Sequence, residues 1–334
     1  MPRPKIAVAF GTRPEAIKMA PVVQRLMRSP QFETLLVVTG QHREMLDQVL
    51  AHFDLQADYD LDIMERGQSL TGITVRVLER LAAVWQQVEP DLVLVHGDTA
   101  TTFAATLAAF YAQIPVGHVE AGLRTYNNLS PFPEEAMRRL TDALAVLHFA
   151  PTAEARRNLL QEHIPPEGIY VTGNTAIDAL LATVREDYVF SLPELRSLDF
   201  EQRRIVVVET HRRENWGQPI ENVCRALKAA VERFPELEVV YSVHRNPVVS
   251  DVVRNVLGGV ERVHLFDPFD YPEWANLMAR SYFIITDSGG LQEEAPSLGK
   301  PVLLVRETTE RPEAIAAGTV RLVGTSENAV FNWV

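Results

Sequence analysis

Cysteine and positive charge are both scarce in this chain, and each shortage narrows what the protein can be. Cys224 is the only cysteine, so no internal disulfide can form, and the composition suits a reducing cytoplasm. It sits in the helical-looking stretch Val223 to Leu227 and is expected to pack rather than react. Lysine and arginine number 32 against 44 acids, giving a formal charge of −12. That balance disfavours nucleic acid or an anionic membrane surface, so an anionic ligand must be gripped by a local pocket. The apolar run Ile6 to Phe10 is too short for a signal-peptide core. Thr99 to Val119 lacks Asp, Glu, Lys and Arg over 21 positions. Its threonines and Pro115 nevertheless read as a buried helix running into a buried strand, not a membrane span.

Several catalytic signatures are missing too. There is no G-x-x-x-x-G-K-[ST], no G-x-G-x-x-G after the first strand, no G-x-S-x-G and no cysteine nucleophile, so ATP hydrolysis and dinucleotide redox chemistry lose their usual support. His96 lies two before Asp98 and His118 two before Glu120, and on a strand each pair shares a face and could chelate. With one cysteine and no His-x-x-x-His spacing, no metal is assigned.

What the chain has in abundance is one repeated pattern, a short apolar strand ending in a polar cluster and then a helix. In the first half the segments begin at Ile6, Leu35, Leu92, Val116, Val146 and Ile169; in the second, at Ile205, Val239, Val263, Phe283, Val302 and Val320. Continuous apolar strands alternating with helices indicate α/β architecture with parallel sheets covered on both faces. An apolar content of 46% supports two such domains. The expected division is 1–174 and 175–334, with polar Arg185 to Arg204 as a linker region, and the two Rossmann-like doubly wound domains are expected to face each other across a cleft. Ligands in such sheets bind outside the carboxyl ends of the strands, where the polar clusters fall.

The richest cluster is Thr286-Asp287-Ser288-Gly289-Gly290-Leu291-Gln292-Glu293-Glu294. A strand, a hydroxyl, two glycines and a helix start can cradle a phosphate on backbone N–H groups, with Glu294 accepting from a ribose. A plain turn with Ser288 as helix cap fits the same residues. Thr12 and Glu15 have capping-box spacing and Pro14 suits a first turn, which leaves Arg13 and Lys18 as a candidate anion clamp. His211-Arg212-Arg213-Glu214-Asn215 and His244-Arg245-Asn246-Pro247 each follow a strand and, with Ser288, Gly289, Arg306 and Arg311, would make the second domain's site cationic and suited to a diphosphate. The first half carries Asp98, Glu120 and Glu134 instead. Capping also explains Asp98 and Glu134, whereas Glu120, in apolar surroundings, is expected to have a raised pKa if buried.

Taken together, FGTRPEAIKMAP, TGQHREMLDQV, VHGDT, PVGHVEAGLRT, SPFPEE, VTGNTAIDAL, HRREN, VHRNP, TDSGGLQEEAPSLGKPVL, TTERPEA and LVGT resemble, in order, the motifs of the bacterial non-hydrolysing UDP-N-acetylglucosamine 2-epimerases. The resemblance implies a glycosyltransferase-B arrangement, a homodimer, and no cofactor. It also implies inversion of UDP-GlcNAc to UDP-ManNAc at C2, in which UDP leaves to give 2-acetamidoglucal and then returns, feeding polysaccharide synthesis. By motif position, Asp98, Glu120 and Glu134 are the acid/base carboxylates and His211 lies near the diphosphate. Arg13, Lys18, Arg138, His244, Ser288, Gly289, Gly290, Glu294 and Arg311 fall at substrate positions.

The chain departs from that pattern at Glu209, where threonine is usual, and at Ser242, where proline is usual. Glu44 and Gly67 stand where members that bind a second UDP-GlcNAc carry glutamine and arginine. The chain stops at Val334, short of the helices that end the family. Epimerisation of a related UDP-diacetamido sugar, and nucleotide-sugar binding without catalysis, are the competing expectations.

Overall fold

A computed structural model describes residues 2–334 apart from His42, Arg66, Glu310 and the side chains of Pro312 and Glu313. His42 of TGQHRE and Glu310 of TTERPE therefore lie outside the described residues. Two compact units divide after Ala179.

The first unit runs β1 (Lys5–Phe10), α1 (Arg13–Met27), β2 (Glu33–Val38), α2 (Arg43–His52), β3 (Tyr59–Asp60), α3 (Leu70–Val88) and β4 (Leu92–His96). It continues with α4 (Ala100–Tyr111), β5 (Val116–Val119), α5 (Glu134–Leu144), β6 (Leu147–Ala150), α6 (Ala153–Gln161) and β7 (Ile169–Val171), and α7 (Thr175–Thr183) spans the division. The second unit holds α8 (Pro193–Arg196), β8 (Arg204–Thr210), α9 (Gln218–Arg233), β9 (Leu237–Val243), α10 (Pro247–Leu257), β10 (Val263–Phe266) and α11 (Tyr271–Arg280). After these come β11 (Phe283–Thr286), α12 (Leu291–Ser297), β12 (Val302–Leu304), α13 (Pro312–Ala316), β13 (Val320–Leu322) and α14 (Glu327–Trp333).

Both sheets are parallel and share one topology. Their orders are β3-β2-β1-β4-β5-β6-β7 and β10-β9-β8-β11-β12-β13. Each reverses direction beside its first strand, so the switch points lie at β1/β4 and at β8/β11. β-Branched runs make these central strands, because every side chain must be apolar when helices cover both faces. Val206, Val207 and Val208 are all fully buried, a gain of about 1.5–3 kcal/mol each. Thr99 to Val119 forms α4 and β5 with most side chains buried, and among the described residues no helix is long and apolar enough to cross a membrane. Cys224 is enclosed in the second core, where burial lifts its thiol to about 12 and keeps it protonated and inert.

Twelve of the 13 strands among the described residues follow the apolar runs; β3, a two-residue edge strand, has no such run. The expected linker is a larger correction. Phe190, Leu195 and Leu198 insert into the second unit's core beside Ile205 and Ile284, and Arg280 stacks 4.9 Å over Phe190 while donating to the Tyr188 carbonyl at 2.6 Å. These apolar residues plug the core singly, without helical or strand periodicity, so 185–204 only looks polar and unstructured.

Candidate active site

At the first unit's switch point the chain after β1 and the chain after β4 are joined by one carboxylate. Glu15 Oε2 accepts the Gly11 and Thr12 N–H groups at 3.1 and 2.8 Å, and Oε1 accepts the Thr99 and Thr102 hydroxyls at 2.7 and 2.9 Å. Only glycine fits at Gly11, since a Cβ there would lie 1.9 Å from the Thr39 hydroxyl. Arg13 opens α1 half-buried, with no ion pair among the described residues. Lys18, expected on an anionic ligand, instead puts its ammonium 2.5 Å from Glu120.

Glu120 follows β5 with φ of +67°, a conformation that strains a residue bearing a Cβ. Burial pushes its carboxyl up, but the Lys18 ammonium and His96, whose Nε2 is 3.7 Å away, outweigh it and hold the group well below the usual carboxylate range. The expected rise is thus reversed, because a buried acid beside a cation is governed by its partner. Among the described residues neither ring nitrogen of His96 has a hydrogen-bond partner.

Asp98 follows Gly97 and is gripped by Arg138 of α5, with Nε and Nη2 at 2.9 and 2.7 Å from Oδ2. The third guanidinium nitrogen reaches Glu135 at 3.0 Å. Glu135 is fully buried and also accepts the Thr125 and Tyr126 N–H groups, both at 3.0 Å. It fixes the loop before α5, and its neighbour Glu134 is half-buried at the helix start with Oε2 enclosed and unpartnered among the described residues.

Under these loops lies a buried charge network. His118 Nε2 is 2.7 Å from the Gly97 carbonyl, which can only accept, and Nδ1 is 2.6 Å from Asp142. Both nitrogens therefore carry protons and the ring is an imidazolium. Burial works against that charge, but Asp142 overrides it and raises the His118 pKa. Asp142 also binds Arg124 at 2.7 Å and the Gly122 N–H at 3.2 Å, so it braces the turns on either side of Glu120 and Asp98. With both nitrogens occupied, His118 cannot chelate a metal together with Glu120.

In the second unit, Asp287 at the end of β11 plays the bracing role. It is fully buried and accepts the His211 and Arg212 N–H groups at 3.0 and 3.1 Å and the Asn215 amide at 2.8 Å. Burial, the largest influence, leaves its pKa raised despite these donors. The HRREN segment is thereby tied to the Ser288 turn. Ser288 does not cap α12; the N-cap is Gly290, and the Ser288 N–H donates to Thr286 Oγ1 at 2.9 Å. The N–H groups of Gly289, Gly290 and Leu291 have no partner among the described residues.

The expected surplus of cations here is smaller than the sequence suggests. Arg306 pairs with Glu214 at 2.8 Å and Arg311 with Glu293. His211 pairs through Nδ1 with Glu209 at 2.6 Å. His244 is exposed, and its Nδ1 accepts the Asn246 N–H at 3.1 Å, which leaves Nε2 as a donor. Glu294 lies in the first turn of α12, near Gly290. Glu44 opens α2, and Gly67 has a φ of +68°. The sequence reading missed Glu135, Asp142 and Asn215 as supports. Glu135 closes the noted SPFPEE motif and Asn215 closes HRREN, whereas Asp142 lay in neither.

Two doubly wound units with polar side chains gathered at their switch points define an α/β protein of the ligand-binding, strand-end type. A family model described as UDP-N-acetylglucosamine 2-epimerase matches residues 24–334. UDP-N-acetylglucosamine 2-epimerases of Escherichia coli and Bacillus subtilis are each 53% identical to the chain, covering 99% of it and 89% and 86% of their own lengths. The UDP-GlcNAc 2-epimerase of Neisseria meningitidis, solved bound to UDP-GlcNAc, is 48% identical with a TM-score of 0.85, covering 98% of this chain and 90% of its own. The chain belongs to the UDP-N-acetylglucosamine 2-epimerase family, whose members are isomerases.

Proposed function

We propose that this chain interconverts UDP-GlcNAc and UDP-ManNAc by eliminating and re-adding UDP. The C2 hydrogen has no adjacent carbonyl to acidify it, so removal is coupled to departure of the diphosphate from C1. One carboxylate takes the C2 proton, the C2–H electrons form the C1–C2 double bond of 2-acetamidoglucal, and the C1–O bond breaks onto UDP. Return of UDP to C1 with protonation of C2 from the opposite face gives the epimer. Two faces require more than one acid/base group, and Asp98, Glu120 and Glu134 supply them.

Arg13, Arg138, His211, His244, Ser288, Gly289, Gly290 and Arg311 are assigned to substrate contact, and Glu294 to the ribose. Lys18 is assigned to holding Glu120 ionised. What carries the reading is the set of cation-paired carboxylates at the first switch point, in a chain whose 48%-identical Neisseria counterpart was solved bound to UDP-GlcNAc. General base catalysis supplies about 10²–10⁴, and each donor to developing oxyanion charge about 10²–10³ more, so retention of UDP matters as much as proton removal. The route needs no cofactor or metal, since the substrate carries its own leaving group. A homodimer, a cytoplasmic location and a role in supplying polysaccharide synthesis belong to this reading and rest on the family resemblance and the lone cysteine.

Incubation with UDP-GlcNAc in D₂O tests it. Wild type should place deuterium at C2 of both epimers with UDP still attached, and Asp98→Asn should slow that exchange by about 10²–10⁴. Full exchange in the variant would remove Asp98 from the mechanism. Release of free ManNAc and UDP would instead make the chain a hydrolase.

A further inference from the structure

We infer that Glu209 is a positioning residue for His211: it takes the Nδ1–H hydrogen bond, fixes the ring, and leaves a charged Nε2–H as the donor to a phosphate oxygen. The consequence for catalysis rests on the function proposed above; the geometry does not. Glu209 is one of the positions where the chain departs from the resembling family, with a carboxylate in place of a hydroxyl.

Both oxygens of that carboxylate are committed. Oε1 is 2.6 Å from His211 Nδ1, and Oε2 accepts the Thr286 hydroxyl at 3.1 Å. The side chains are 35% and 23% exposed for His211 and Glu209, so the pair sits half-shielded at the β8/β11 switch point rather than on an open surface. Asp287 and Arg212 bear on the ring, and Tyr241 and Arg213 lie on the elements around it. Asp287 Oδ1 lies 3.5 Å from Nδ1, but its oxygens already accept three N–H bonds, so it adds charge without competing for the proton. Arg212 opposes the imidazolium. Tyr241, on the neighbouring strand β9, is buried, shares a hydrogen bond with Thr210 and is held neutral by burial. Arg213 is turned over the Trp216 ring at 5.9 Å. The balance favours charge, with the Glu209 hydrogen bond as the largest influence, ahead of the opposing burial.

The ligand atoms of Glu209, His211 and Asp287 lie within 4.8 Å of one another, close enough to suggest a cation site. The four other donor bonds into the two carboxylates already use their oxygens and argue for a proton at Nδ1 instead. A neutral histidine would lose much of its hold on a diphosphate above its ordinary pKa of about 6.5, and Glu209 keeps the donor charged across that range.

The test is an NMR titration of His211 in free, EDTA-treated protein for wild type, Glu209→Gln and Glu209→Thr, alongside UDP affinity at two pH values. Glu209→Gln keeps an acceptor without the charge, and so separates loss of charge from a folding defect. We expect the His211 midpoint to fall by about one unit or more in both variants. UDP affinity should stay within about twofold of wild type at pH 6 and fall about tenfold at pH 8. An unchanged midpoint overturns the inference, as does a shifted midpoint with no pH-dependent loss of UDP affinity. So does tighter UDP binding on addition of Mg²⁺ or Zn²⁺ that depends on Glu209, since that would make the cluster a metal site. Absence of epimerisation by wild type would remove the proposed function while leaving the titration result to stand.

Discussion

At the β1/β4 end of the first unit, Asp98 and Glu120 each meet a cation, Arg138 and Lys18. At the β8/β11 end of the second, in the same topology, Asp287 is buried beneath the loop and its hydrogen bonds hold up His211 beside a turn whose N–H groups are unpartnered among the described residues. One end presents compensated carboxylates, the other a histidine and backbone donors. The difference teaches that the duplicated sheet fixes where chemistry can occur, and that the residue after each central strand decides which. On the proposed function, proton transfer belongs to the first end and retention of an anion to the second.

The largest expected effect on this contrast comes from breaking the compensation in the first unit. Lys18→Met would leave Glu120, whose side chain is 14% exposed, without its counter-charge. A loss of about 3 kcal/mol in unfolding free energy at pH 7 is expected by denaturant titration, and Glu120→Gln in the same chain should recover most of it. No loss would mean the pair is solvent-screened.

His211→Asn should have a smaller effect confined to the second unit. UDP affinity should fall about tenfold, near 1.4 kcal/mol, with stability nearly unchanged. An unaltered affinity would place the phosphate elsewhere.

The smallest effect is a dependence on pH. The His118 pKa is raised in the fold, so its contribution to stability is fully present below about pH 6.5 and is lost as pH rises through the folded value. The Asp142 pKa is lowered, so its share is present above about pH 4 and is lost on acidification. Thermal unfolding of His118→Gln against wild type should therefore show a difference that narrows at high pH. A difference that grows with pH would contradict the imidazolium assignment.

Most of the fold was legible because parallel strands covered on both faces must be apolar throughout, and β3 escaped because a two-residue edge strand need not be. The segment 185–204 was misread because Phe190, Leu195 and Leu198 fill the core one at a time. In the site, the acids and the His211 and Ser288 clusters stood out as polar residues ending apolar runs. Their partners did not, because Lys18 and Glu120 are 102 positions apart and Arg138 and Asp98 are 40 apart. Local patterns carry no record of such pairing, so Lys18 looked like an anion clamp and Glu120 like an acid with a raised pKa. Asp142 had no signal at all; it lies in the last turn of α5 and matters only through His118, Arg124 and the Gly122 N–H.

The division of labour is tested most directly by UDP calorimetry on Asp98→Asn and His211→Asn side by side. The account predicts that Asp98→Asn binds UDP within about twofold of wild type while His211→Asn binds about tenfold more weakly. Equal weakening in both variants would contradict it.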